Sequence, residues 1–201
     1  MKASAKTQRL TGLALMTGII IVLQIVASFI KFGPFTITLA LAPIIIGAAL
    51  YGAGAGAYLG GVFGVVVFIA CVAGWDMGGN ILFTARPLVT LILCVVKGAL
   101  AGLAAGAVYR ALAQRSPMAG SILAGIMCPV VNTGIFCAGL FAFFNDTFNE
   151  WMMGWVSSTG NEANPLLYII LVLVGVNFLI ELGINPVSYT HLRAHETCAD
   201  L

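Results

Sequence analysis

The sequence predicts an all-α integral membrane protein, a bundle of six transmembrane helices formed by residues 1–185. Three observations support this fold class. Only 8% of the 201 residues are charged, and short polar breaks separate long apolar stretches. Most stretches approach the roughly 20 residues that a helix needs to cross a bilayer. They are apolar nearly all round, unlike the one-sided stripe of a soluble helix. The stretches span 10–30, 35–50, 52–73, 82–109, 118–144 and 165–184.

Basic residues precede the first stretch and separate the fourth from the fifth, which indicates the orientation of the bundle. With six spans and both termini in the cytoplasm, all of these positions face the cytoplasm, as the positive-inside rule requires. Lys31, after the first span, is the exception on the outside. The first span is expected to remain uncleaved, because its apolar run is too long for a signal peptide. The basic residues are Lys2, Lys6, Arg9, Arg110 and Arg115.

Proline and glycine shape the individual spans. The second stretch is short and carries Pro43, so we expect a tilted or bent helix. Tyr51 and Gly52 predict a tight turn into the third span. Pro87 suits the first turn of the fourth helix, whereas Pro129 lies inside the fifth helix and is expected to kink it.

Small residues recur at every fourth position in the third and fourth spans. Such spacing places them on one helical face, where they allow another backbone to approach closely. Two interpretations stay open, namely packing within the bundle and an outward face for another membrane protein. The first span has a weaker version of the pattern. The positions are Ala14 and Gly18 in the first span, Gly52, Ala53, Gly56, Ala57, Gly60, Gly61 and Gly64 in the third, and Gly98, Gly102 and Gly106 in the fourth.

The break between the fifth and sixth spans, residues 145–164, carries an aromatic pattern. Its large apolar side chains recur at i, i+3, i+4 and i+7, which predicts a short helix with one apolar face. That helix either anchors the chain at headgroup level or forms a lid over a pocket from outside. The stripe consists of Phe148, Trp151, Met152 and Trp155.

The few remaining polar residues are the candidate ligand contacts. Arg86 follows a glycine-rich loop that carries Trp75, Asp76 and Asn80. Its planar guanidinium suits a carboxylate or phosphate, but pairing with Asp76 or snorkelling to the surface is an equally simple use. Lys97 lies about 16 Å deeper in the membrane, where an ionisable group indicates a functional site by default. Snorkelling inward, or bonding to carbonyls freed by the proline of the fifth span, is its structural alternative.

Asn132 and Asn177 lie at middle depth in the fifth and sixth spans. They either form hydrogen bonds between helices or line a polar cavity together with Lys97. Glu181, near the inner end of the sixth span, suits an interface better than a ligand site. The sequence holds no catalytic or phosphate-binding motif, and its cysteines lack metal-site spacing. We therefore predict neither an enzyme nor a metal or cofactor site.

Residues 186–201 differ abruptly in composition from the rest of the chain. The segment PVSYTHLRAHETCADL holds both histidines, and His191 and His195 with Glu196 have the spacing of a metal site. The string VSYTHLRAHET also resembles a translated sequencing-adapter read. We therefore interpret 186–201 as a non-native tail, exclude it from the fold, and expect the native C-terminus to be truncated.

The combination of length, six spans and motif order resembles the substrate-binding S component of energy-coupling factor (ECF) vitamin transporters. The resemblance covers residues 10–185. It is carried by Phe32–Gly64 (FGPFTITLALAPIIIGAALYGAGAGAYLGGVFG), by ARPLVTLILCVVKGALAGLAAGAVYRAL in the fourth span, and by the polar outer loop before the last span. It implies a protein of the bacterial cytoplasmic membrane that captures a vitamin and delivers it inward with a scaffold subunit and two ATPases. ATP is then used by those partners, and neither a cofactor nor nucleic acid is implied.

The resemblance also implies roles for particular residues. Together with the polar residues of the spans, the predicted substrate-binding set is Trp75, Asp76, Asn80, Arg86, Lys97, Asn132, Asn145, Trp151 and Trp155. Small residues of the first and third helices would contact the scaffold, here Ala14, Gly18, Ala53, Gly56, Ala57 and Gly60. Arg86 and Lys97 favour an anionic substrate such as pantothenate, folate, biotin or a phosphorylated compound. Riboflavin and thiamine are not excluded as substrates.

Two other functions are compatible with the residues alone. A structural or assembly subunit of a membrane complex would use the glycines only for packing and Lys97 as a member of a buried network. An ion-coupled carrier working alone is expected to show inverted repeats and intramembrane acids. The sequence shows no such repeat, and Glu181 is the only acid within a span.

Overall fold

The structure, a computed structural model, describes residues 5–29, 31–32, 35–36, 38–160 and 163–174. These residues are helical apart from one small ribbon, in which strand β1 (Lys31–Phe32) pairs antiparallel with β2 (Phe35–Thr36). The long helices are α1 (Ala5–Ala27), α3 (Ala53–Val72), α5 (Pro87–Ala113) and α6 (Pro117–Phe143). The shorter ones are α2 (Leu41–Tyr51), α4 (Met77–Ala85), α7 (Asn145–Thr159) and α8 (Pro165–Tyr168), which continues into a π-helical turn, Ile169–Val174.

Four of these helices, α1, α3, α5 and α6, are long and apolar enough to cross a membrane. They coincide with the first, third, fourth and fifth predicted spans, which confirms a helical, multi-pass membrane protein. The sixth stretch, 165–184, is described only as far as residue 174. Asn177 and Glu181 lie outside the described residues, as does the tail at 186–201 with its histidines.

The second predicted span is shorter in the structure than in the sequence analysis. Helix α2 has 11 residues, which correspond to about 16 Å, roughly half the hydrocarbon thickness of a bilayer. Residues 35–36 belong to strand β2 instead. Pro43 is the third residue of α2, in the first turn, where the backbone has no intrahelical acceptor for an N–H in any case.

The apolar stretch 82–109 is divided at Arg86, so residues 82–85 belong to helix α4 and not to the fourth span. The Arg86 backbone is extended, with φ −147° and ψ 84°, because a following proline disfavours the helical conformation. Pro87 is the first residue of α5, as predicted. Helix α6 runs continuously through the buried Pro129, so the proline does not end this helix, and the kink stays a prediction.

The short helix α2 lies in the middle of the bundle and contacts α1, α3, α5 and α6. Around it, α3 packs along α5, and α5 packs along α6. Arg9 at the start of α1 donates a hydrogen bond to the carbonyl of Tyr51 at 3.2 Å, so α1 begins at the same end of the bundle as the α2–α3 turn. We call this the Tyr51 end and the opposite one the Trp75 end.

The glycines of α3 and α5 bring the two backbones into direct contact. A side chain on Gly56 would overlap the carbonyl of Gly102, and one on Gly60 would overlap that of Gly98. Gly64 meets the carbonyl of Cys94 in the same way. These three glycines of α3 therefore serve packing within the bundle, the first of the two interpretations that the sequence left open.

Candidate functional site

The segment that the sequence analysis treated as a glycine-rich loop is the capped start of helix α4. Asp76 is buried, and its Oδ1 accepts a hydrogen bond from the backbone N–H of Gly79 at 2.8 Å. This is the N-cap geometry that favours aspartate. Asn80 Nδ2 donates to the carbonyl of Cys71 at 2.9 Å, which ties α4 to the end of α3. Asp76 and Asn80, both predicted substrate contacts, thus have structural roles in holding α4.

Trp75 lies beside a groove between α1 and α3 on the outside of the bundle. Its ring stacks at a tilt on that of Phe29, with centroids 5.8 Å apart. The groove has a volume of roughly 640 Å³ and an almost wholly apolar lining, with Ile25 on α1 and Ala57 and Gly61 on α3. Such a surface suits lipid or another apolar helix better than a polar solute.

Arg86 is exposed at the Trp75 end, at the junction of α4 and α5. Its backbone carbonyl accepts the hydroxyl hydrogen bond of Thr90 at 3.0 Å. Its side chain is exposed, whereas Asp76 is buried and accepts the N–H of Gly79. The side chain is available to an anion that approaches this end of the bundle.

Lys97 is half-buried on α5 and its charge lies against an aromatic ring of α6. Its Nζ is 4.7 Å from the centroid of Phe136, a cation–π geometry. The thiols of Cys94 and Cys137 lie within electrostatic range of the same ammonium group. No carboxylate in the described part of the chain forms an ion pair with Lys97. An ionisable group within a membrane span is a candidate functional residue.

Asn132 lies one helical turn before Phe136 on α6, and is therefore on the same face of that helix. Asn132 is buried, and its Oδ1 has no hydrogen-bond partner. The structure thus places the two mid-membrane candidates, Lys97 and Asn132, on neighbouring, packed helices. It does not show the Lys97 ammonium bonded to carbonyls near Pro129, the alternative that the sequence allowed.

The predicted aromatic stripe forms one face of helix α7, as expected from its spacing. Phe148 is fully buried between Phe141 on α6, at 4.6 Å between centroids, and Tyr168 on α8, at 5.6 Å. Trp155 contacts Tyr168 at 5.7 Å. Side chains of α7 and α8 and the residues packed on them form one group, which we call the aromatic cluster. It contains Leu82, Leu93, Phe136, Leu140, Phe144, Phe148, Trp151, Met152, Trp155 and Tyr168.

The aromatic cluster connects α7 to Lys97, because Phe136 belongs to it. Lys97 and Asn132 thus lie on the packed helices α5 and α6, while Trp151 and Trp155 on α7 pack on the same cluster as Phe136. Asn145 is exposed at the start of α7, where its Oδ1 accepts a hydrogen bond from Asn149 at 2.7 Å. It is not part of this group.

Gln24 is a buried polar residue that the sequence analysis missed. It lies near the Trp75 end of α1 and its Oε1 has no hydrogen-bond partner. Ser28, one turn later, donates its hydroxyl to the Gln24 backbone carbonyl at 2.8 Å. A single polar residue within an apolar run could have indicated a buried polar site at Gln24. The sequence does not show, however, which face of α1 is covered by other helices.

The residues predicted to contact a scaffold divide into two groups. Gly56 and Gly60 are buried against α5, and Ala53 contacts Gly106 of the same helix. The α5 backbone occupies the space in front of these residues, so they pack within the bundle, and their contact with a scaffold stays a prediction. Ala14 and Gly18 are exposed on α1, and Ala57 lines the α1–α3 groove. These three positions are accessible to another membrane protein.

Among the described residues, no group of three or more metal-binding side chains is close enough to hold an ion. A family model described as "ECF transporter, substrate-specific component" matches residues 8–192. The match extends past residue 185, the boundary drawn from composition. No curated protein and no solved structure matches the chain.

Proposed function

The chain belongs to the family of substrate-specific components of ECF transporters, and from this premise we propose that it captures an anionic micronutrient of the vitamin class. Members of this family are substrate-binding transport subunits and not enzymes, so the chain is a substrate-specific component of a membrane transporter. The proposal adds the class of substrate and the partners, a transmembrane scaffold subunit and two ATPases that supply the energy. ATP is hydrolysed by the partners, and the chain itself needs no cofactor.

The proposed arrangement in the membrane is a bundle of six spans in a bacterial cytoplasmic membrane, with both termini inside. The four long helices, the short α2 and the stretch beginning at α8 make up the six spans. In this orientation the Tyr51 end is cytoplasmic, since Arg9, Arg110 and Arg115 lie there. The Trp75 end, with Arg86 and α7, then faces outward.

The cation at Lys97 is the observation that carries the proposal of an anionic substrate. Its ammonium group lies between α5 and α6 on the ring of Phe136, without a carboxylate partner among the described residues. An anion there forms a charge-assisted hydrogen bond in a site with few competing polar groups. Arg86, exposed at the outward end, would favour the entry of the same anion by its charge.

The aromatic cluster supports the second interpretation of the α7 stripe, a cover over the site from outside. Trp151 and Trp155 pack on the cluster that includes Phe136, and in the proposed orientation α7 would cover the Lys97 region from outside. A partly apolar vitamin with an acidic group suits aromatic walls and a single cation. Pantothenate, biotin and folate all carry a carboxylate and belong to this class.

The accessible small residues support docking of the scaffold subunit on α1 and the α1–α3 groove. Gly18 and Gly61 have open space where a side chain would be, and Ala57 lines the groove together with Gly61. Small residues allow a helix of another subunit to approach closely without loss of hydrogen bonding. The glycines that face α5 take no part in this proposed contact.

The experiment is identification of the small molecule that co-purifies with the detergent-solubilised protein, followed by binding measurements on variants. We expect an anion, and we expect Lys97→Met to weaken its binding about 10- to 100-fold, the effect of a lost charge-assisted bond. Lys6→Met is the matched control, because Lys6 is an exposed lysine at the start of α1. A neutral or cationic ligand, or equal affinity in the Lys97 variant and the control, would refute the anion site.

A further inference from the structure

Two buried amide side chains have a carbonyl oxygen that no donor reaches. Gln24 on α1 is 1% exposed and Asn132 on α6 is 5% exposed. Gln24 Oε1 and Asn132 Oδ1 are the two buried side-chain atoms without a hydrogen-bond partner in the described part of the chain. Unsatisfied buried carbonyls destabilise a fold, so each requires an explanation such as a ligand.

The buried hydroxyl groups of the described residues are satisfied locally. Ser28, Thr90 and Ser121 each donate to the backbone carbonyl four residues earlier, at 2.8, 3.0 and 2.8 Å. Asp76 is satisfied by its capping bond. Among these buried polar side chains, only the two amides therefore have an oxygen without a hydrogen-bond partner.

The two amides border one continuous core. Ile20, one turn before Gln24, and Cys128, one turn before Asn132, belong to the same buried cluster, which also contains Leu41 at the start of α2. Asn132 is in addition one turn from Phe136, the ring beneath the Lys97 ammonium. The open carbonyls thus approach the interior from α1 and from α6, and one of them lies close to the proposed anion site.

Depth along the helices places Gln24 near the start of α2. Gly12 on α1 packs against the Tyr51 side chain, and Gln24 lies twelve residues, or about 18 Å, further along α1. Helix α2, which ends at that same tyrosine, is only about 16 Å long. The buried Gln24 therefore lies at about the level of Leu41, where α2 begins.

We propose that Gln24 and Asn132 accept hydrogen bonds from the substrate, which therefore carries N–H or O–H donors in addition to its anionic group. The inference rests on the proposed function and narrows its substrate class to donor-bearing acids. A buried acceptor discriminates strongly, because an analogue without the donor leaves the carbonyl unpaired. An apolar acid with the same charge is thus rejected, and Gln24 is a specificity-determining residue contributed by α1.

The first test uses the wild-type protein in detergent and needs no variant. Its melting temperature is measured with pantothenate, biotin and folate, which are acids with N–H or O–H donors, and with octanoate, an acid without them. We expect at least one donor-bearing acid to raise the melting temperature and octanoate to leave it unchanged. An equal rise with octanoate would overturn the inference while leaving the anion site intact. No rise with any acid, with no small molecule released on denaturation, would overturn the proposed function itself.

The second test replaces each amide by an apolar side chain of similar size, Gln24→Met and Asn132→Leu. We expect the melting temperature without ligand to stay equal or increase, because an unpaired carbonyl is removed, and the shift caused by the stabilising acid to fall by at least half. Ser121→Ala is the control, since its buried hydroxyl is already satisfied and lies at the far end of α6. It should lower the melting temperature slightly and keep the full ligand shift. A ligand shift retained in both amide variants, or a clear loss of stability without ligand, would assign the amides a structural role instead.

Discussion

Gly60 allows a direct test of the packing between α3 and α5, because one methyl group is a sufficient perturbation. A Cβ on Gly60 would overlap the carbonyl group of Gly98 and approach the Cα of Ala99 to 3.2 Å. These are backbone atoms of α5, so rotation of a side chain cannot relieve the overlap. We therefore expect Gly60→Ala to push α5 away from α3.

The size of the effect follows from the contacts that this displacement weakens. Overpacking costs about 1–3 kcal/mol, and we expect the upper value because the neighbouring contacts at Gly56 and Gly64 open together with that at Gly60. The higher helix propensity of alanine offsets about 1 kcal/mol. A net loss of about 2 kcal/mol lowers the melting temperature of a chain of this length by about 4–8 °C.

The assay is thermal unfolding in detergent with a thiol-reactive fluorophore, since Cys71, Cys94 and Cys128 are buried and react only when the bundle opens. Gly61→Ala is the matched control, because no atom lies within 4 Å of the added methyl group. We expect the free energy of unfolding of this control to equal that of the wild type or to exceed it by up to about 1 kcal/mol. Equal melting temperatures for Gly60→Ala and Gly61→Ala would refute the close approach of the two helices.

Three further perturbations test other parts of the structure. Asp76→Ala removes the N-cap of α4 and is expected to lower the free energy of unfolding by about 1 kcal/mol, measured as a melting temperature about 2–4 °C lower. Asp146→Ala is the control, because Asp146 is an exposed acid in the first turn of α7, and its melting temperature should change little. Equal losses of melting temperature in the two variants would contradict the capping role. Phe148→Ala leaves a cavity between α6 and α8 and is expected to lower the free energy of unfolding by about 3–5 kcal/mol. We also expect faster proteolysis within α7. Unchanged proteolysis would show that the aromatic cluster does not hold this helix. Gly18→Trp should leave the melting temperature unchanged and abolish co-purification with the scaffold subunit, and normal assembly of this variant would exclude the exposed face of α1 as the docking surface.

The membrane class and the positions of the long helices were predictable from the sequence because they depend on local composition. A run of about 20 apolar residues is stable in a bilayer as a helix whatever lies beside it. The start of α5 at Pro87 and the one-sided helix α7 were predictable for a similar reason, since both depend on residues close together in the chain. The resemblance to S components was confirmed by the family match.

The errors concern places where a short polar segment adopts regular structure. Helix α4 was missed because the glycines of its first turn suggested a loop, while the capping bond of Asp76 that stabilises the helix start depends on the backbone geometry. The second span was drawn too long because the apolar residues of strand β2 cannot be distinguished by composition from helical ones.

The sequence by itself determined that this protein is a helical membrane protein with small residues spaced along its helices and few charges within its spans. Hydrophobicity and residue size are local properties, and they are sufficient for these conclusions. Only the tertiary structure decided that Gly60 faces α5 while Gly18 faces outward, and that Lys97 lies on the ring of Phe136. It also decided that the Gln24 carbonyl is buried and unpaired. Which face of a helix is covered, and by what, depends on helices distant in the chain, and the spacing within one helix carries no information about them.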